Sequence, residues 1–78
     1  MPIKPTRIIV SPALQTFARN FKKARKAANM SQKTVHEQTG IAASYVSAVE
    51  RATRSVTIER AGRLAKAVGV PLYKLLTP

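Results

Sequence analysis

The sequence predicts an all-α domain of five short helices over residues 11–78, preceded by an extended basic arm over residues 1–10. Three observations lead there. Apolar residues recur at helical spacing, as in Leu14, Phe17, Ala18, Phe21 and Ala24, with charge on the other faces. The runs are bracketed by start and stop signals, Ser11-Pro12 ahead of the first and Gly69 behind the fourth. A chain of 78 residues has room for one small core, so tight helix packing or dimerisation must contribute to its stability.

In the arm, Pro2 and Pro5 with Lys4 and Arg7 predict an extended, mobile segment. Its run Arg7-Ile8-Ile9-Val10 is β-prone, able to pack on the domain or to pair with a second copy; a tail without a role is the competing reading. Ser11 can cap free amides and Pro12 suits the first helical position, so the first helix starts there. Its stripe is Leu14, Phe17, Ala18, Phe21, Ala24 and Ala28, with Arg19, Lys22, Lys23 and Lys26 largely off it. Asn29 suits a left-handed cap, Met30 turns back into the core, and Ser31 caps the second helix, Gln32 to Gln38. Thr39, Gly40 and Ile41 lead to the third helix, Ala43 to Arg51. After a loop, Thr57 caps a fourth helix with the stripe Ile58, Ala61, Leu64, Ala65 and Val68, closed by Gly69. Gly62 inside it costs about 1 kcal/mol relative to alanine and would let another helix, including one from a partner subunit, come close. Pro71 opens a short fifth helix ending at Leu76, with Leu72, Leu75 and Leu76 apolar.

The chain is organised around residues 31–51, SQKTVHEQTGIAASYVSAVER. Val35, Ile41, Val46 and Val49 fit one buried seam shared by two helices that cross at a tight turn, where Gly40 supplies the backbone freedom. That is a helix-turn-helix pattern. The order Ser31-Gln32, His36-Glu37, Gly40-Ile41, Ser44-Tyr45-Val46-Ser47 and Glu50-Arg51 closely resembles the Cro- and lambda-repressor-like (XRE-type) family of DNA-binding domains, from about Leu14 to Leu76. Within it the chain resembles small stand-alone regulators such as the controller proteins of restriction-modification systems.

The resemblance implies that the third helix enters the major groove and the second lies across the DNA backbone. Gln32 matches the family position that grips a phosphate at a helix start, with Ser31 and Lys33 able to add to the clamp; an unpartnered surface glutamine is the alternative. Ala43, Ser44 and Ser47, with Ala48 and Arg51 next, lie opposite Val46 and Val49 and are the candidates for base edges. Alanine can touch a thymine methyl and serine can bond to several bases, so direct readout is expected to be sparse and DNA shape to carry more of the specificity. Arg51 can read a guanine or hold a phosphate. Tyr45 can send its hydroxyl to the DNA backbone or serve structure alone, and Arg54 and Ser55 in the following loop are phosphate candidates. If the arm acts like those of some helix-turn-helix proteins, Lys4 and Arg7 reach DNA beside the main contact.

Other family positions are structural. Arg25 and Glu50 match an arginine on the first helix and a glutamate at the end of the third that form an ion pair. His36 departs from the small alanine usual there, so imidazole needs a wider crossing or a rotated side chain and can bond to a backbone carbonyl. With no second ligand near it, it reads as a packed or half-exposed residue rather than a metal ligand. Ala42 replaces a capping Ser or Asp, a loss of about 1 kcal/mol to the third helix. Resemblance to the small regulators further implies a twofold dimer through helices four and five, using Leu72, Tyr73 and Leu76; closing the monomer's own core is the competing role.

Fourteen Lys and Arg against three Glu and no Asp give a net charge of +11, a potential suited to polyanions. The expected partners are double-stranded DNA and a second copy, with polymerase or a toxin protein as further candidates; no membrane and no cofactor is expected. The chain has no cysteine, which excludes disulfides and thiolate metal sites and fits a cytoplasmic setting. One histidine, no aspartate and a glutamate already assigned to an ion pair leave no catalytic constellation, so no enzyme activity is expected. The reading is a sequence-selective transcriptional regulator on an inverted-repeat operator, able to repress by blocking polymerase or activate by touching it. Its alternatives are an antitoxin-type autorepressor that binds a toxin, a non-specific architectural DNA-binding protein and, because the first helix is basic and amphipathic, a membrane-active cationic peptide.

Overall fold

The computed structural model describes residues 11–78; the expectations for the arm, Lys4 and Arg7 among them, fall outside the described residues. Five helices make up the described chain: α1 (Pro12–Ala27), α2 (Gln32–Thr39), α3 (Ala43–Glu50), α4 (Ile58–Val68) and α5 (Leu72–Leu75). Three of them start on a side-chain cap. Ser11 Oγ accepts from the Leu14 amide at 3.0 Å, Ser31 Oγ from Thr34 at 3.0 Å and Thr57 Oγ1 from Arg60 at 3.1 Å. Ala42 stands at the start of α3 without a side-chain cap bond.

Two helix exits use a left-handed residue that is not glycine, Asn29 at φ 58° and Ala52 at φ 56°. In both, the amides of that residue and the one after it fold back onto the helix end: Asn29 and Met30 donate to the Lys26 and Arg25 carbonyls, Ala52 and Thr53 to those of Val49 and Ala48. Asparagine tolerates this conformation; alanine pays a steric penalty for it.

α1 packs on α3, α4 and α5, α2 on α3 and α4, and α4 on α5, around one core. Phe17, Phe21, Val35, Val46, Val49, Leu64 and Leu75 are fully buried at its centre. The Phe17 and Phe21 rings stack one helical turn apart, with centroids 5.9 Å apart. Asn20, on the same helix, donates to the carbonyls of Leu75 at 3.0 Å and Thr77 at 2.8 Å, which ties the short α5 to α1.

The core departs from the expected stripes at two places. Ala28 is exposed, because α1 ends at Ala27 and the chain turns away there. Ile58 is 83% exposed. As the first residue of α4 it has no preceding turn to cover, since a helical side chain leans toward the N-terminal side of its own position. At Gly62, among the described residues, nothing lies within 4 Å of where a side-chain carbon would stand, so none of the five helices uses the gap.

Candidate nucleic-acid interface

The turn between α2 and α3 is held by its own side chains. Gly40 takes φ 75° and its amide donates to the His36 carbonyl at 2.8 Å. Thr39 Oγ1 donates to the Val35 carbonyl at 2.7 Å and accepts from the Ile41 amide at 3.1 Å. His36 Nδ1 lies 2.9 Å from the Ile41 carbonyl. A carbonyl only accepts, so Nδ1 carries the proton and the imidazole, rotated outward, clamps the turn.

Behind the turn, one buried carboxylate joins three helices. Arg25 donates from Nε to Glu50 Oε2 at 2.6 Å and from a terminal nitrogen to Oε1 at 3.0 Å, and its other terminal nitrogen bonds to the Met30 carbonyl at 2.8 Å. The Glu50 hydrogen bond raises the Arg25 pKa, with burial acting against it. Gln32 adds a donor at 3.1 Å from Glu50 Oε1. Part of its amide is therefore committed inside the protein, a link sequence reasoning missed because glutamine, unlike arginine, carries no charge to suggest the partner.

On the outer surface of α3, Ser44 and Arg51 are exposed and Ala43, Ser47 and Ala48 are half-buried. Arg51 Nε lies 3.3 Å from the Ser47 carbonyl, so its side chain folds back along the helix end. From α2, Ser31 and Lys33 are exposed and Gln32 half-buried; Arg54 and Ser55 are exposed in the loop after α3. Tyr45 faces inward instead. It is buried, and its hydroxyl donates to the Ser55 carbonyl at 3.0 Å, which commits the proton a phosphate would need. The Arg54 and Arg60 guanidiniums lie 5.0 and 4.8 Å from the centre of its ring.

Arg60 and Arg63 on α4 are additions to the sequence-predicted set. Their spacing of three puts them on one face of a helix, but only the crossing of α4 over the turn brings that face beside Ser44 and Tyr45. With Arg54 they line an open cleft of about 430 Å³. Leu72 is half-buried against the core, whereas Tyr73 is 66% and Leu76 48% exposed. Leu76 shares an apolar groove with the unexpectedly exposed Ile58.

Two helices crossed at a glycine turn, the second presenting a surface bordered by guanidiniums, define a helix-turn-helix DNA-binding domain. The chain belongs to the HTH_3 family of the XRE/Cro-C1 type, described as helix-turn-helix, which matches residues 21–75; these are non-enzymatic DNA-binding regulators of transcription. It is 36% identical over 63 residues to Control protein C.SmaI of Serratia marcescens, covering 81% of this chain and 75% of that protein. The crystal structure of the restriction-modification controller protein C.AhdI from Aeromonas hydrophila superposes with a TM-score of 0.75 at 32% identity, covering 80% of this chain and 94% of that one. The controller protein C.Esp1396I, solved as a tetramer with its natural 35-base-pair operator, gives a TM-score of 0.77 at 25% identity, covering 85% and 91%. Among the described residues no helix is long and apolar enough to cross a membrane.

Proposed function

We propose that this chain is a sequence-selective transcriptional regulator acting in the cytoplasm as a homodimer on an inverted-repeat operator, with α3 in the major groove. The observation that carries the reading is the α3 surface itself: small and uncharged along its length, with Arg51 at its end and arginines from the next loop and α4 at its side. Ala43, Ser44, Ser47 and Arg51 then face base edges, and Ser31, Gln32, Lys33, Arg54 and Ser55 hold phosphates on either side. Support for operator binding comes from the likeness to C.Esp1396I, which was crystallised on its own operator. Support for the dimer comes from Ile58, Tyr73 and Leu76, large apolar side chains left exposed in a chain this small. In such a dimer the half-sites are centred about one helical turn apart.

The charge of +11 together with the alanine at position 43 favours one other reading, non-specific architectural binding. Selection of bound sites from random DNA separates the two, with the winner and a scrambled duplex compared over a salt series. A twofold-symmetric site bound at least ~1000-fold more tightly than the scrambled one is the expected outcome. Steep salt dependence with no recovered motif would hand the function to the architectural reading.

A further inference from the structure

We infer that Arg54, Arg60 and Arg63 form a phosphate-binding cleft that grips the DNA backbone beside the start of α3, outside the surface α3 itself presents. The inference rests on the DNA-binding reading above and extends its footprint onto α4. Three guanidiniums from two segments converge on one cleft, and no carboxylate is among the described residues that line it. Like charges gathered without an acid repel one another, and an anion that they share relieves that repulsion.

The cleft is also held in shape. Tyr45 is immobilised by burial and by its bond to the Ser55 carbonyl, and its ring takes the Arg54 and Arg60 guanidiniums at 5.0 and 4.8 Å. Arg63 hydrogen-bonds the Thr39 carbonyl at the end of α2, where the helix dipole favours a cation. That bond uses part of a five-donor fork and leaves other donors for a ligand. Ala42 and Ser44 form the adjoining wall, where α3 begins without a side-chain cap and its positive end faces the same space. Planar guanidinium forks match tetrahedral phosphate oxygens, and adjacency to Ser44 sets the phosphate on the strand bordering the groove that α3 enters.

The test compares the full chain with Arg60→Gln and with the double variant Arg60→Gln, Arg63→Gln, on the selected operator and on a scrambled duplex, across a potassium chloride series. Thermal melts check that both variants fold. Each lost phosphate contact should lower the slope of log affinity against log salt by about 0.9, so the double variant should lose roughly twice that. Affinity should fall equally on the two duplexes, leaving their ratio unchanged. A folded double variant with the wild-type slope would overturn the inference while leaving the DNA-binding reading intact; a wild-type chain that binds neither duplex would overturn both. Titration with sodium pyrophosphate, followed through the arginine Nε–H resonances, covers the other source of phosphate chemistry. Saturable binding there with unchanged DNA slopes would give the cleft to a free phosphoanion and overturn the backbone assignment.

Discussion

Two residues at the end of α3 have consequences that can be measured singly. Ala52 holds φ 56° to let the chain leave the helix, and the left-handed conformation costs a residue with a Cβ roughly 1–2 kcal/mol. Glycine removes that strain but adds freedom to the unfolded chain worth part of the gain. Ala52→Gly should therefore stabilise the domain by about 1 kcal/mol, read as a higher midpoint in urea denaturation; a lower midpoint would mean that the methyl's packing outweighs the strain. One residue earlier, Arg51 lies along the helix end with its Nε near the Ser47 carbonyl, and on the DNA-binding reading its guanidinium serves either a base or a phosphate. Arg51→Ala is expected to weaken operator binding by about 1–3 kcal/mol if it reads a base, with scrambled DNA spared. Equal loss on both, with a shallower salt slope, would assign it to phosphate.

At the scale of the element, α3 is weak in its own terms. It has eight residues and no side-chain cap, and it depends on Val46 and Val49 for its place. Its neighbours compensate: Thr39 and His36 brace the turn before it, and Tyr45 ties it to the loop after it. Ala42→Ser supplies the missing cap acceptor at a residue whose backbone, at φ −56° and ψ 140°, is already non-helical, and should stabilise the domain by about 1 kcal/mol. Thermal denaturation checks it; no gain would show that a serine at this site turns its hydroxyl away from the α3 amides.

For the whole molecule the Glu50 carboxylate is the common joint, since Arg25 brings α1 to it, Gln32 brings α2, and Glu50 itself ends α3. Arg25 is only 9% exposed, so deleting its partner strands a buried charge at a cost of about 3–5 kcal/mol. That is comparable to the lower end of the roughly 5–15 kcal/mol that holds a domain together. Glu50→Ala is expected to unfold or greatly destabilise the chain, and Glu50→Gln, which keeps the shape and one acceptor, to lose less. Near wild-type melting of Glu50→Ala would refute this. The raised pKa of Arg25 means that its share of the stability is present at all pH below the ordinary arginine range and lost only above it. The guanidinium therefore brings no pH dependence near neutrality.

Sequence alone determined the five helices, their caps at Ser11, Ser31 and Thr57, the left-handed exit at Asn29 and the glycine turn between α2 and α3. These are local: a hydroxyl reaches an amide three residues on, and an apolar stripe repeats every helical turn, whatever else the chain does. Local signals misled where an element ends, as at Ile58, whose spacing fits the α4 stripe although the helix has no turn ahead of it to cover. Apart from the Arg25–Glu50 pair, which the family resemblance implied, tertiary structure decided what meets across the sequence. The α4 crossing carries Arg60 and Arg63 to the start of α3, burial turns the Tyr45 hydroxyl to the Ser55 carbonyl, and folding sets Gln32 on Glu50 and Asn20 beneath α5. Such contacts follow from interhelical angles, which the packing of the whole core sets and no single stretch of sequence encodes.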